Sequence, residues 1–123
     1  MLLTEIPPRR LQATADKVAK HAELVQDFNP LHLDETFAAK TPFGGAIVHG
    51  SMMMNLLVDA LERAGGPGFA SGALKLRFAA PAMVGETLTA SGAAREGEPG
   101  VWDVWVARAD GVKAVTGTLT TAA

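Results

Sequence analysis

The sequence predicts an α+β fold in which an antiparallel sheet wraps around one long helix. Three observations carry that expectation. Residues 50–64 are apolar on all but a narrow stripe, so a helix there is buried on most of its surface. Four strand-like segments follow it in succession, at 72–78, 87–95, 101–108 and 112–121. Before it come one strand and two short helical pieces joined by a long loop, with no internal repeat and no second-domain linker.

The elements follow in order. After Pro7-Pro8, residues 9–15 are read as a first strand. Asp16 is the expected N-cap of a helix to about Val25, with Val18, Ala22 and Val25 on one face. That helix must end near Asp27, because Asn29 precedes Pro30 and a residue before proline is pushed out of the helical region. A short helix is expected over Asp34–Ala39, with Asp34 and Glu35 forming a solvated first turn, and then a break at Thr41-Pro42-Phe43-Gly44-Gly45. The long helix runs from Gly50 to Ala64, with Asn55, Asp59, Glu62 and Arg63 as its polar stripe, and Gly65-Gly66-Pro67-Gly68 ends it. In the strands, Leu74, Leu76 and Phe78 oppose Lys75 and Arg77, and Trp102, Val104 and Val106 oppose Asp103 and Trp105. Asp110-Gly111 signals a two-residue hairpin. Hairpin-connected strands wrapped around a buried helix are the arrangement called a hotdog. Its open edges lead to the expectation of a homodimer.

Composition narrows the function. The chain has 123 residues, enough for one domain over 1–123 and one core. With 48% hydrophobic and 20% charged residues it has the composition of a folded globular protein. The net charge is −2 and the basic residues are scattered, which argues against a nucleic-acid partner. There is no cysteine, which removes disulfides, thiolate nucleophiles and Cys-based metal sites. The first ten residues carry acid and prolines where a signal peptide would be apolar, and Asn55 and Asp59 break the longest apolar run. A cytoplasmic protein with no membrane partner is expected.

Polar groups concentrate in Asp27-Phe28-Asn29-Pro30-Leu31-His32 and in Val48-His49-Gly50-Ser51. A carboxylate and an imidazole five residues apart, across a rigid Asn-Pro bend, can share one water as an acid–base pair. A helix start offers free backbone N–H groups to a developing oxyanion, and Gly50 lets a substrate come close to that backbone. Taken alone, Asp27 would be a loop carboxylate bonded to its own backbone, and His32 a satisfied loop histidine. Together with Asn29, Pro30 and the later His49-Gly50 they point to chemistry. His49 is read as a brace for the loop before the helix. Met52, Met53, Met54 and Leu57 are first of all core; an adaptable thioether wall for an acyl chain is the functional reading, with Phe43 and Phe69 nearby. Consecutive helical residues point about 100° apart, so at most one or two of the methionines can line a pocket.

These residues, with Leu33-Asp34, Phe37-Ala38-Ala39, Phe43 and Ile47-Val48, resemble the MaoC-like (R)-specific enoyl-CoA hydratases over roughly residues 9–121. The shared pattern is Asp-x-Asn-Pro-x-His followed by a His-Gly that opens the central helix. The resemblance implies a hotdog fold and an enzyme, a lyase, that adds water to a trans-2-enoyl thioester of coenzyme A or acyl carrier protein. The product would be the (R)-3-hydroxyacyl thioester, or the reverse dehydration would run. Asp27 and His32 match the catalytic pair, Asn29 a supporting residue, and Gly50 the backbone donor to the thioester carbonyl. A possible acyl pocket would be formed by Phe43, Met53 and Leu57. No metal and no other cofactor is implied. The chain departs from the pattern at Val25-Gln26, where the family often has Ser-Gly, at Gly45-Ala46, where it often has Arg-Pro, and near Val58 on the central helix, where some relatives have a serine that this chain lacks.

Two other functions compete. A hotdog thioesterase would use an acid on the central helix, and Asp59 stands ten residues after His49 where nine is the usual spacing; one residue turns the side chain by about 100°. A non-catalytic acyl-thioester-binding subunit would be expected to lack Asp27 or His32. Three further cations, Arg63, Lys75 and Arg77, are candidates for the phosphates of coenzyme A.

Overall fold

The computed structural model describes residues 3–121, which form five strands and a long central helix. In chain order these are β1 (Glu5–Gln12), α1 (Ala15–Val25), α2 (Pro30–Leu33), α3 (Glu35–Ala39), α4 (Gly50–Gly65), a 3-10 turn (Phe69–Ser71), β2 (Ala73–Phe78), β3 (Thr87–Ala94), β4 (Val101–Ala107) and β5 (Lys113–Thr120). The strands form one antiparallel sheet in the order β1-β3-β4-β5-β2. Only β3, β4 and β5 are joined as successive hairpins. β2 does not pair with its chain neighbour β3 but crosses to the far edge, beside β5.

The sheet curls around α4. Leu56, Leu57, Ala60 and Leu61 of the helix share one core with Leu88 and Ala90 of β3, Trp102, Val104 and Val106 of β4, and Val115 and Leu119 of β5. On β4 the alternation anticipated from sequence holds, with Trp102, Val104 and Val106 buried and their neighbours half-buried. Each such buried aliphatic side chain stabilises the fold by roughly 1.5–3 kcal/mol relative to exposure. Among the described residues no helix is long and apolar enough to cross a membrane.

Four local expectations need correction. The first strand is not 9–15 but Glu5–Gln12, and it runs through Pro7-Pro8. An edge strand tolerates missing donors, and the pairing with β3 shifts register between Ile6 and Arg9, where the prolines sit. The cap of α1 is Thr14, whose hydroxyl accepts from the Lys17 amide at 3.3 Å, and Asp16 lies inside the first turn. Pro30–Leu33 is a helical turn rather than plain loop, with Asn29 as its cap and proline at its first position. The β4–β5 turn has three residues, not two: Gly111 donates to the Arg108 carbonyl, Arg108 then pairs with Val112, and Gly111 takes φ +86°.

Candidate active site

The residues between α1 and α4 are folded by short-range capping. Gln26 ends α1 in a left-handed conformation (φ 55°), which turns the chain so that the Asp27 amide still donates to the Ala22 carbonyl. One Asp27 carboxylate oxygen accepts from the Asn29 amide at 3.2 Å, and the Asn29 side chain accepts from the Leu31 amide at 2.9 Å. Asn29 therefore acts by shaping the turn. Proline next to it fixes the first position of α2, and His32 follows one helical turn later, on the same side as Asp27.

His32 is held from behind. Its Nδ1 donates to the Ile47 carbonyl at 2.7 Å, so that in the neutral ring Nε2 carries the free lone pair. Nε2 stands 3.9 Å from the Asp27 carboxylate. That is too far for a direct hydrogen bond and suits a small bridging molecule. The carboxylate is half exposed, while the imidazole is only 12% exposed, so one member of the pair is anchored and the other meets solvent.

His49, directly before α4, is buried, and its ring stacks on His32 with centroids 3.8 Å apart at 25°. Its Nε2 donates to the Asp27 backbone carbonyl at 3.1 Å, and its Nδ1 is buried without a partner. His49 thus bonds the backbone of Asp27 rather than its carboxylate. The first helical amides of α4, Gly50 and Ser51, precede the first intrahelical donors, Met52 and Met53, and His49 supplies no side-chain cap. Gly50 lies under the Phe78 ring: a Cβ there would be 3.1 Å from Cε1.

An open cleft of about 310 Å³ begins at this helix start, lined by Phe43, Ile47, Val48, Gly50, Met53 and Phe78 and closed by the Ala79–Pro81 segment. It opens beside the Asp27–His32 pair rather than around it, and Ile47 links the two by lining one wall while its carbonyl holds His32. Of the three residues proposed for an acyl pocket, Phe43 and Met53 line this cleft. Leu57 does not: one turn deeper on α4, it is fully buried in the core. Phe69 lies at the other end of the helix, edge-on to Trp102 at 5.6 Å.

Sequence reasoning missed two contributors. Glu35 is not merely solvated; it accepts from the Ala46 amide at 3.2 Å and ties α3 to the segment that carries Ile47. His21 of α1 is buried beside His49, with ring centroids 5.0 Å apart at 63°, and bonds the Ser51 hydroxyl at 2.8 Å. Burial, and then the His49 ring, lower the His21 pKa from the ordinary histidine value; Asp27 opposes this and His32 adds to it. Neither role has a sequence signal beyond the presence of a polar residue near the motif.

Asp27, His32 and His49 bring ligand-type atoms within 4.8 Å of one another. They make a poor metal site, because His49 already uses Nε2 on a carbonyl and buries Nδ1 beside a near-parallel ring. Only one imidazole lone pair and one carboxylate stay free, fewer than the three protein ligands of a usual catalytic zinc site. Asp59, the acid a thioesterase would need, is held by Arg9 and Arg63, each at 3.0 Å.

A five-stranded sheet around one helix, with this Asp–His pair beside the helix start, defines a hotdog-fold site. The chain belongs to the MaoC-like domain family, which it matches over residues 5–115. Among its relatives, a 3-hydroxybutyryl-CoA dehydratase of Methylorubrum extorquens is 40% identical over 85 residues, covering 68% of this chain and 53% of the relative. An (R)-specific enoyl-CoA hydratase of Aeromonas caviae is 43% identical over 77 residues, covering 62% of this chain and 58% of the relative. The chain thus spans little more than half the length of the curated relatives it matches. In three dimensions it resembles the solved (R)-hydratase of A. caviae, with a TM-score of 0.79 and 34% identity over 96% of this chain and 94% of that one.

Proposed function

We propose that the chain hydrates trans-2-enoyl thioesters of coenzyme A or acyl carrier protein to (R)-3-hydroxyacyl thioesters, and runs the reverse dehydration when the product accumulates. The observation that carries this reading is the anchored His32 Nε2 facing the Asp27 carboxylate across 3.9 Å, beside the uncapped start of α4. Two acceptors at that spacing hold one water by both of its hydrogens. As the water oxygen bonds C3, one of its protons passes to the pair, and a proton from the pair is delivered to C2, so the sum is addition of H2O. Electron density moves onto the thioester oxygen during attack, and the Gly50 amide, free at the helix start, receives it. Acid–base pairs of this kind contribute about 10²–10⁴-fold, and an oxyanion donor about 10²–10³-fold.

The cleft with Phe43, Met53 and Phe78 takes the acyl chain. The functional unit is a homodimer: among the described residues the outer edges of β1 and β2 are unpaired, and Phe28, Phe37, Phe43 and Phe78 near the site are each 42–53% exposed. No step calls on a metal or redox cofactor. The test is to incubate the protein with crotonyl-CoA in heavy-oxygen water and resolve the product on a chiral column. One heavy oxygen at C3 of the (R)-alcohol supports the proposal. A heavy carboxylate with free coenzyme A would mean hydrolysis instead.

A further inference from the structure

The reaction just described leaves the His21 imidazole and the Ser51 hydroxyl unused. His21 sits on the buried face of α1 beside Val18 and Ala22 and is only 8% exposed. An imidazole taken out of water at a position that packing alone could fill with an apolar side chain is costly unless its polar atom is bonded. Here it is bonded to a single group, the hydroxyl of the second residue of α4, 30 positions away in sequence. Ser51 directly follows Gly50, so any roll or slide of the helix start moves the Gly50 amide with it. On its other side His21 meets the His49 ring edge-on, and His49 holds the Asp27 carbonyl. Asp27 and Gly50 come from separate elements, α1's end and α4's start, and His21 touches the means by which each is held.

We propose that His21 is a positioning residue. Bonded to Ser51 and packed on His49, it fixes the Gly50 amide relative to Asp27, so that substrate carbonyl and attacking water are held in register. The inference rests on the hydratase reading of Asp27, His32 and Gly50. Misplacement of reacting groups by about an ångström can lower turnover by up to about 10²-fold while binding is largely kept. His21→Phe preserves a packed ring and removes the bond, whereas His21→Gln retains a side-chain amide that can bond Ser51.

The experiment compares wild type, His21→Phe and His21→Gln in two readouts: kcat and KM on crotonyl-CoA, and solvent exchange of the His49 Nε2 proton by NMR of nitrogen-labelled histidine. The expected result is a kcat about tenfold lower in His21→Phe with KM nearly unchanged, faster exchange of the His49 proton, and recovery of both in His21→Gln. Wild-type kcat and unchanged exchange in His21→Phe would overturn the proposal. So would equal impairment of the two variants, which would mean that ring packing alone matters. If wild type hydrates neither crotonyl-CoA nor crotonyl-acyl carrier protein, the hydratase reading falls, and the His49 exchange rates alone decide whether His21 holds this loop.

Discussion

At the C-terminal end of α4 every charge has a partner: Asp59 is held by Arg9 and Arg63, and Glu62 accepts from the Phe69 amide at 2.9 Å. At the N-terminal end the pattern reverses. Gly50 and Ser51 start the helix uncapped, His49 buries an unpartnered nitrogen, and the Asp27 carboxylate faces His32 without bonding it. The same helix ends in a closed ion-pair network on one side and in open hydrogen-bonding capacity on the other. Open donors and acceptors carry a free-energy cost in a folded protein and are retained where a ligand completes them. This contrast favours the start of the helix as the site of the proposed chemistry and counts against Asp59 as a reacting acid.

The contrast is open to attack by substitution, most severely at the pair. Asp27→Asn and His32→Ala should each lower hydratase turnover by about 10²–10⁴-fold, with far-UV circular dichroism and unfolding temperature close to wild type. A smaller effect, up to about 10²-fold, is expected for Gly50→Ala, whose new Cβ would press on Phe78 at 3.1 Å. Combining it with Phe78→Ala should restore part of the loss, and steady-state kinetics of the three proteins would show whether it does.

Acid should weaken the N-terminal end specifically. The folded-state pKa of His21 lies below the ordinary value of about 6.5, so the unfolded chain takes up the proton first as pH falls. Stability is therefore unaffected by this group at higher pH and is lost as pH drops from about 6.5 through the folded value. His21→Phe removes that contribution. Its fall in unfolding temperature between about pH 7.5 and about pH 5.5 should be smaller than that of wild type; an equal fall would contradict the assignment. The mildest effect belongs to the closed end. Asp59→Asn should leave turnover unchanged and cost less than about 1 kcal/mol in urea unfolding, since its ion pairs are 44–59% exposed. A large loss of activity there would bring the thioesterase back.

How much of this was legible in the sequence depended on the range of the interactions. α4 was readable because four turns of apolar residues with one polar stripe leave little alternative, and Gly50–Gly65 matches within a residue. β1 was misplaced because Pro7-Pro8 look like a strand boundary, and only its position at the sheet edge, with a register shift, makes them compatible with pairing. α2 is too short to show periodicity, although Asn29-Pro30 is a cap followed by a favoured first residue. The pairing of β2 with β5 depends on contacts across more than 35 positions and has no local signature. In the site, Asp27, Asn29, His32, His49 and Gly50 stood out by type and spacing. His21 did not, because its role exists only once α1 lies against the start of α4. Met53 and Leu57 share a helix face, and only depth separates a cleft wall from the core.

The most direct test of the central claim follows the absorbance of the conjugated enoyl thioester with crotonyl-CoA and octenoyl-CoA, for wild type and Asp27→Asn, with a thiol reagent in a parallel sample. Loss of the conjugated absorbance by wild type, without free thiol and abolished in Asp27→Asn, is the predicted result. Release of thiol, or equal rates for the two proteins, would contradict it.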